Sequence, residues 1–199
     1  MSTSAPVRRT HLLYLHGFRS SPHSAKAQRM MRWAADHRPD LVLCCPQLPP
    51  SPQDAMALAR SLVQDWPRDT MAIMGSSLGG FYATYLSQHT GARTALINPA
   101  VDPARDLAAY IGEQTCWQNP EARFFFRPEF VGELQALTVG PLTHPDRLMA
   151  VIAKGDEVLR WEEMVGRYPG SHLRVLEGGD HALSDFDDHL PAITAFLGM

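Results

Sequence analysis

One short stretch, Gly75-Ser76-Ser77-Leu78-Gly79, constrains this chain more than any other. Thr70 to Met74 runs into it, short, apolar and suited to a strand. Phe81 to Gln88 follows and reads as a helix. A strand that must become a helix within a few residues forces the central serine into a strained backbone and holds its hydroxyl above the carboxyl edge of a sheet. The flanking glycines are needed because a Cβ at either place would strike the neighbouring strand or helix. Only Ser77 fits this frame, since centring it on Ser76 would put Met74 and Leu78 where glycine is required. Alone, a Gly/Ser-rich link can be an ordinary βα turn. What surrounds it points to a nucleophile.

The surroundings are a regular βα rhythm. His11 to Leu15, Leu41 to Cys44, Thr70 to Met74, Arg93 to Ile97, Leu148 to Ala153 and His172 to Leu176 read as strands, the first of them buried because it is apolar without alternation. Between them lie helical stretches. One runs to about His37 behind a candidate N-cap at Ser24. Another starts at Ser51-Pro52-Gln53-Asp54, with an N-cap serine, a first-turn proline and an acidic third residue, and runs to about Trp66. The elbow helix, a helix to about Tyr168 and a closing helix from Asp187 to Leu197 complete the set. The expected fold is α/β: one domain over residues 1–199, with a mostly parallel central sheet of about six strands and helices on both faces.

The rhythm breaks between residues 104 and 147. A short helix (Ala104 to Ile111) and a helical piece from Glu129 to about Leu137 flank an irregular run carrying Trp117, Phe124, Phe125, Phe126 and Phe130, interrupted by Pro120, Pro128, Gly132 and Gly140. Two readings stand. The run is a surface loop with its own small cluster, or a short lid insertion whose aromatics roof an acyl pocket over Ser77. On the second reading, Trp117, Phe124, Phe126 and Phe130 are the pocket residues.

Composition narrows the partners. Lys and Arg number 18 against 21 Asp and Glu, a formal charge of -3 without a basic stripe, which gives no support to a nucleic-acid or anionic-membrane partner. Met1 to Thr10 is polar, the apolar run Leu12 to Leu15 is too short for a signal-peptide core, and no later run approaches a membrane span. Three cysteines, with Cys44 and Cys45 adjacent, do not make a disulfide framework. The expectation is a cytoplasmic protein acting on a small molecule.

In a parallel α/β sheet chemistry gathers past the carboxyl ends of the strands. The His16-Gly17 loop, Ser77, Asp156 and His181 all fall there. A serine hydroxyl needs a base to take its proton as it attacks. His181 is the candidate base and Asp156 the group that orients its ring, in the chain order Ser, Asp, His. The oxyanion that forms needs fixed donors, expected from the backbone N–H groups of Leu78 and Phe18. Asp102 also follows a strand and is a rival acid. Glu157 reads as solvated, Asp180 as a turn residue and His16 as structural. The remaining histidines lack paired spacing, and there is no Cys/His cluster, Walker loop or Gly-x-Gly-x-x-Gly turn, so no metal or other cofactor is expected.

With these residues in view, the chain resembles the α/β-hydrolase superfamily, and within it the small bacterial YqiA-like esterases. Leu12 to Phe18 with Ser20-Ser21-Pro22, Pro46 to Pro50, Gly75 to Gly80, Asn98 to Val101, Gly155 to Leu159 and Glu177 to Ala182 carry the resemblance, while Trp117 to Leu142 matches least. It implies a cofactor-free carboxylesterase for short acyl esters, with Ser77, Asp156 and His181 as its triad. A thioesterase or small peptidase would use the same three residues. The competitor outside enzymes is a ligand-binding or interaction protein on a hydrolase fold.

Overall fold

The computed structural model describes residues 8–199, so the first seven residues of the polar N-terminal stretch lie outside it. Six strands form one sheet: β1 (His11–Leu15), β2 (Val42–Cys44), β3 (Met71–Ser76), β4 (Arg93–Ile97), β7 (Leu148–Ala153) and β8 (His172–Leu176). Their spatial order is β2-β1-β3-β4-β7-β8, and each neighbouring pair is parallel. The strand run from Thr70 extends two residues beyond Met74, to Ser76, so the elbow sits directly on the strand's end.

Side chains alternate across the sheet and build two cores. Leu13, Leu15, Met71, Ile73, Leu96, Ala150 and Ile152 face one way. They meet α2 (Pro52–Val63), α3 (Leu78–Thr90), α5 (Glu129–Ala136) and α6 (Trp161–Arg167). Leu12, Tyr14, Ala72, Met74, Ala95, Ile97 and Val151 face the other way, onto α1 (Ala25–His37) and α7 (Phe186–Leu197). Burial on both faces explains why β1, β3, β4 and β7 carry few polar residues, whereas the edge strand β8 is partly exposed and keeps His172 and Arg174.

Helix starts follow sequence only in part. Ser51 accepts the Asp54 N–H at 3.1 Å, a true side-chain cap, and Pro52 opens α2. Ser24 holds the N-cap position of α1 but its hydroxyl makes no capping bond. The first turn of α1 therefore keeps its N–H groups available.

The insertion is more ordered than expected. After α4 (Pro103–Leu107) and a short 3₁₀ turn, β5 (Gly112–Cys116) and β6 (Asn119–Phe126) pair as an antiparallel hairpin with a register shift at Thr115/Cys116. Pro120 lies inside β6 without breaking it. The hairpin has only two strands, so each has an open edge where a missing N–H costs no ladder bond. Alternation along β6 sorts the phenylalanines: Phe126 is buried, Phe125 is exposed and Phe124 lies between.

Candidate active site

The order of the strands places a crevice where β1 meets β3. From β1 the chain crosses to β2 on one side, and β3 returns to the other, so the loops after β1 and β3 diverge above the sheet. Ser77 stands in that crevice with φ 56° and ψ −122°, a conformation non-glycine residues rarely adopt. Two glycines make this turn possible. A Cβ on Gly75 would run into the Gly79 carbonyl, and one on Gly79 into the Leu15 carbonyl at the end of β1. Helix α3 thus starts in direct backbone contact with the neighbouring strand, and no side chain fits between.

Three side chains from three loops meet here. The Ser77 hydroxyl lies 3.0 Å from His181 Nε2, and His181 Nδ1 lies 2.8 Å from Asp156 Oδ2. The Asp156 side chain is fully buried, and its other oxygen accepts the N–H groups of Val158 and Leu159, each at 2.8 Å. A carboxylate held by two backbone donors presents one oxygen to the imidazole. That keeps Nδ1 protonated and turns the Nε2 lone pair toward the serine proton. The loops of Asp156 and His181 are also joined through backbone: Gly155 N–H donates to the Gly178 carbonyl at 2.9 Å and Lys154 N–H to the Leu176 carbonyl at 3.0 Å.

Gly17 packs against Ser77, so close that a Cβ there would stand 3.1 Å from the serine Cβ. The following N–H, that of Phe18, and the first N–H of α3, that of Leu78, have no hydrogen-bond partner among the described residues. They are available as a donor pair at the positive end of the helix. His16 fixes the loop that carries Phe18. It is 4% exposed, donates from Nδ1 to the Gly17 carbonyl at 3.0 Å, and accepts the Leu48 N–H on Nε2 at 3.0 Å. Burial lowers its pKa, which suits the neutral tautomer those bonds need.

The insertion's aromatics divide between two jobs. Phe124 lines a cavity of about 480 Å³ with Leu78, Tyr82, Leu48 and Pro49, while Trp117 lines a second one, about 440 Å³, that contains Ser77 and His181. Phe126 and Phe130 line neither. They are buried at 1% and 8% exposure and belong to the core under the loop, which corrects their reading as pocket residues. The reason is alternation in β6 and the inward face of α5. Phe18 is the hub that joins the two sets: its ring meets Phe126 at 5.3 Å, Phe124 at 5.9 Å and Tyr110 at 5.7 Å, all edge to face. Such pairs add about 0.5–1.5 kcal/mol each. The hairpin is also tied to this loop by Arg19, which donates to the Thr115 carbonyl at 2.8 Å, and by the Ser21 hydroxyl, which donates to Gln118 at 3.0 Å. The insertion buttresses the loop that carries the Phe18 N–H.

The rivals have other work. Asp102 caps α4 by accepting the Arg105 N–H at 3.2 Å. Asp180 accepts both the N–H and the hydroxyl of Ser184. Glu157 is not merely solvated: its carboxylate accepts the His181 N–H at 2.9 Å.

Asn98 is the residue that sequence reasoning missed. It is fully buried, with φ 39°, at the end of β4. Its amide nitrogen donates to the carbonyls of Asp180 (3.0 Å) and His181 (3.2 Å), and its oxygen accepts the Ala153 N–H at 2.8 Å. One side chain therefore spans the end of β7 and the histidine loop. Asparagine after a strand carries little local signal, apart from its tolerance of positive φ. In Asn98→Asp, an ionised carboxylate would repel the two carbonyls, whereas the protonated acid could still donate. Turnover of this variant is expected to fall by about 10²-fold, the cost of a misplaced catalytic group, and to recover partly as pH is lowered. A pH–rate profile parallel to that of the unaltered protein would refute the clamp.

Comparison with known proteins places this geometry in a wider setting. The model of an uncharacterised protein family, UPF0227, matches residues 11–198. Among solved structures, the chain is similar to a putative hydrolase from Agrobacterium vitis S4, with a TM-score of 0.74 at 21% identity over 95% of this chain and 88% of that one. It is also similar to alpha/beta hydrolase domain-containing protein 10 from mouse (TM-score 0.70, 16% identity, 93% and 87% covered). A third likeness is to Est1E from Butyrivibrio proteoclasticus (TM-score 0.64, 15% identity, 96% and 86% covered). At these identities the shared property is the α/β-hydrolase fold. Among the described residues no helix is long and apolar enough to cross a membrane.

Proposed function

The chain belongs to the UPF0227 family and to the α/β-hydrolase superfamily, and we propose that it is a serine carboxylesterase that hydrolyses acyl esters through an acyl-enzyme. The observation that carries this reading is the unbroken line from Ser77 through His181 to the buried Asp156. In the first half-reaction Ser77 Oγ attacks the ester carbonyl while His181 Nε2 accepts the serine proton. The negative charge that forms on the carbonyl oxygen is met by the N–H groups of Phe18 and Leu78. The C–O bond to the alcohol then breaks, and His181 returns the proton to the departing oxygen. Water repeats the sequence and releases the acid.

The leaving alcohol must lie where His181 can protonate it, in the cavity that His181 lines. The acyl chain then extends past Leu78 into the cavity walled by Tyr82, Leu48, Pro49 and Phe124. In a series of 4-nitrophenyl esters, kcat/KM is expected to rise about fourfold per added methylene, the equivalent of about 0.8 kcal/mol, until that cavity is full, and then to fall. Truncation in Phe124→Ala should move the break to longer chains. A series with no break, or one unmoved by the truncation, would place the acyl chain elsewhere. Absence of hydrolysis across the whole series would overturn the esterase reading itself.

A further inference from the structure

The cavity that holds Ser77 and His181 has a polar end that this chemistry does not use. The first turn of α1, Ser24-Ala25-Lys26, faces into it. α1 is 13 residues long, has no acidic residue in its first turn, and receives no cap from Ser24. Among the described residues nothing accepts the N–H groups of Ala25, Lys26 or Ala27. A cation in the first turn of a helix sits against the positive end of the dipole, an arrangement that an anion would relieve. A second, independent observation comes from the sheet. Tyr14 lines the same cavity and is 1% exposed, and its hydroxyl has no hydrogen-bond partner among the described residues. A buried donor left unpaired costs free energy until something accepts from it.

The charges nearby do not satisfy Lys26. Its Nζ donates to the Ala182 carbonyl and forms no ion pair among the described residues. The carboxylates around it are all otherwise engaged: Asp180 with Ser184, Glu157 with the His181 N–H, and Asp156 with Val158, Leu159 and His181 itself. Two donors of the ammonium remain.

We propose that this end of the cavity binds an anionic group on the alcohol part of the substrate, a carboxylate or a phosphate, with Lys26, the α1 N-terminus and the Tyr14 hydroxyl as its partners. The proposal rests on the esterase reading for the side on which the alcohol lies. Burial pushes the Lys26 ammonium down to about 8, against the opposing pull of Asp180 and Asp156. The subsite is charged below that pH and loses its charge above it, so anion selectivity should fade as pH rises through about 8.

Three butanoate esters make the test, their hydrolysis followed by proton release: 3-(butanoyloxy)propanoate, 2-(butanoyloxy)ethyl phosphate and the uncharged 3-methylbutyl butanoate. At pH 7 at least one anionic ester should exceed the neutral one in kcat/KM by about tenfold, the scale of a hydrogen bond to a charged group. The better of the two identifies the anion. That ratio, which cancels any general loss of activity, should collapse toward one in Lys26→Met, survive in Lys26→Arg and shrink in Tyr14→Phe. It should also decline above pH 8 wherever Lys26 is retained, but not in Lys26→Arg. A ratio near one in the unaltered protein, or one that Lys26→Met leaves intact, overturns the proposal. Calorimetric titration of the Ser77→Ala protein with the same esters separates the two readings. Tighter binding of an anionic ester there, with no turnover of any ester by the unaltered protein, would retain the subsite and reject the esterase.

Discussion

Replacing Ser77 by alanine is expected to abolish covalent labelling by a fluorophosphonate and to reduce ester turnover by roughly 10⁴–10⁶-fold, the loss seen when a serine nucleophile acting with a base is removed. Ser76→Ala, one residue earlier and at the end of β3, should keep its label. A label that persists in Ser77→Ala would assign the nucleophile to another residue. The same position offers a second, thermodynamic readout. Its φ of 56° costs a non-glycine residue about 1–3 kcal/mol, while glycine bears no such strain but loses about 0.5–1 kcal/mol more conformational entropy on folding. Ser77→Gly should therefore abolish turnover and yet raise the melting temperature, by about 2–4 °C for a net gain of about 1 kcal/mol in a chain of this size. A drop in melting temperature would mean that the hydroxyl contributes more to the fold than its backbone costs.

The next largest effect is expected at Asp156. Asn is nearly the same shape, so Oδ1 still accepts the N–H groups of Val158 and Leu159 and the loop holds. The other atom becomes a donor facing His181 Nδ1. The imidazole then keeps its proton on Nε2, pointed at Ser77, and cannot take another from the serine. Turnover should fall about 10⁴-fold by analogy with the serine-protease aspartate, with the melting temperature little changed. Asp156→Ala is a different experiment, because it takes the acceptor away from the N–H groups of Val158 and Leu159, so the loop loosens and the protein should unfold more easily. Asp102→Asn serves as the control. Its carboxylate caps α4, so it should cost at most about 1 kcal/mol of stability and leave turnover nearly intact. Reversal of the two results would make Asp102 the acid.

How much of this is legible in sequence depends on how local the cause is. The inner strands are, since a parallel strand covered on both faces is apolar along most of its length, while the half-exposed edge strands β2 and β8 are read from the βα rhythm around them. The elbow is as well, through its five-residue pattern: Gly75 is demanded by Gly79 close behind it, although Gly79 is demanded by Leu15 on the neighbouring strand. The hairpin is not. Pro120 reads as a breaker until the strand that holds it is known to have an open edge, and only the pairing of Gln114 with Phe124 and its neighbours reveals which phenylalanines turn inward. Asn98 and Lys26 are illegible for a different reason. Each matters through a partner more than 80 positions away in the chain, the histidine loop, and neither local spacing nor residue type announces that partner.

The hairpin leaves and rejoins the domain at almost one point, for Gly112 stands opposite Phe126. It is in effect a cassette. Its fixings gather on one loop: besides Phe126 sunk in the core, Phe18 meets Phe124, Arg19 holds Thr115 and Trp117, and Ser21 holds Gln118. A shorter or longer loop spliced between those anchors would reshape the mouth above both cavities while the sheet and the three loops that carry Ser77, Asp156 and His181 stay as they are. Redesign of substrate range in this scaffold can therefore begin with fifteen or so contiguous residues, a stretch short enough to be randomised on a single oligonucleotide.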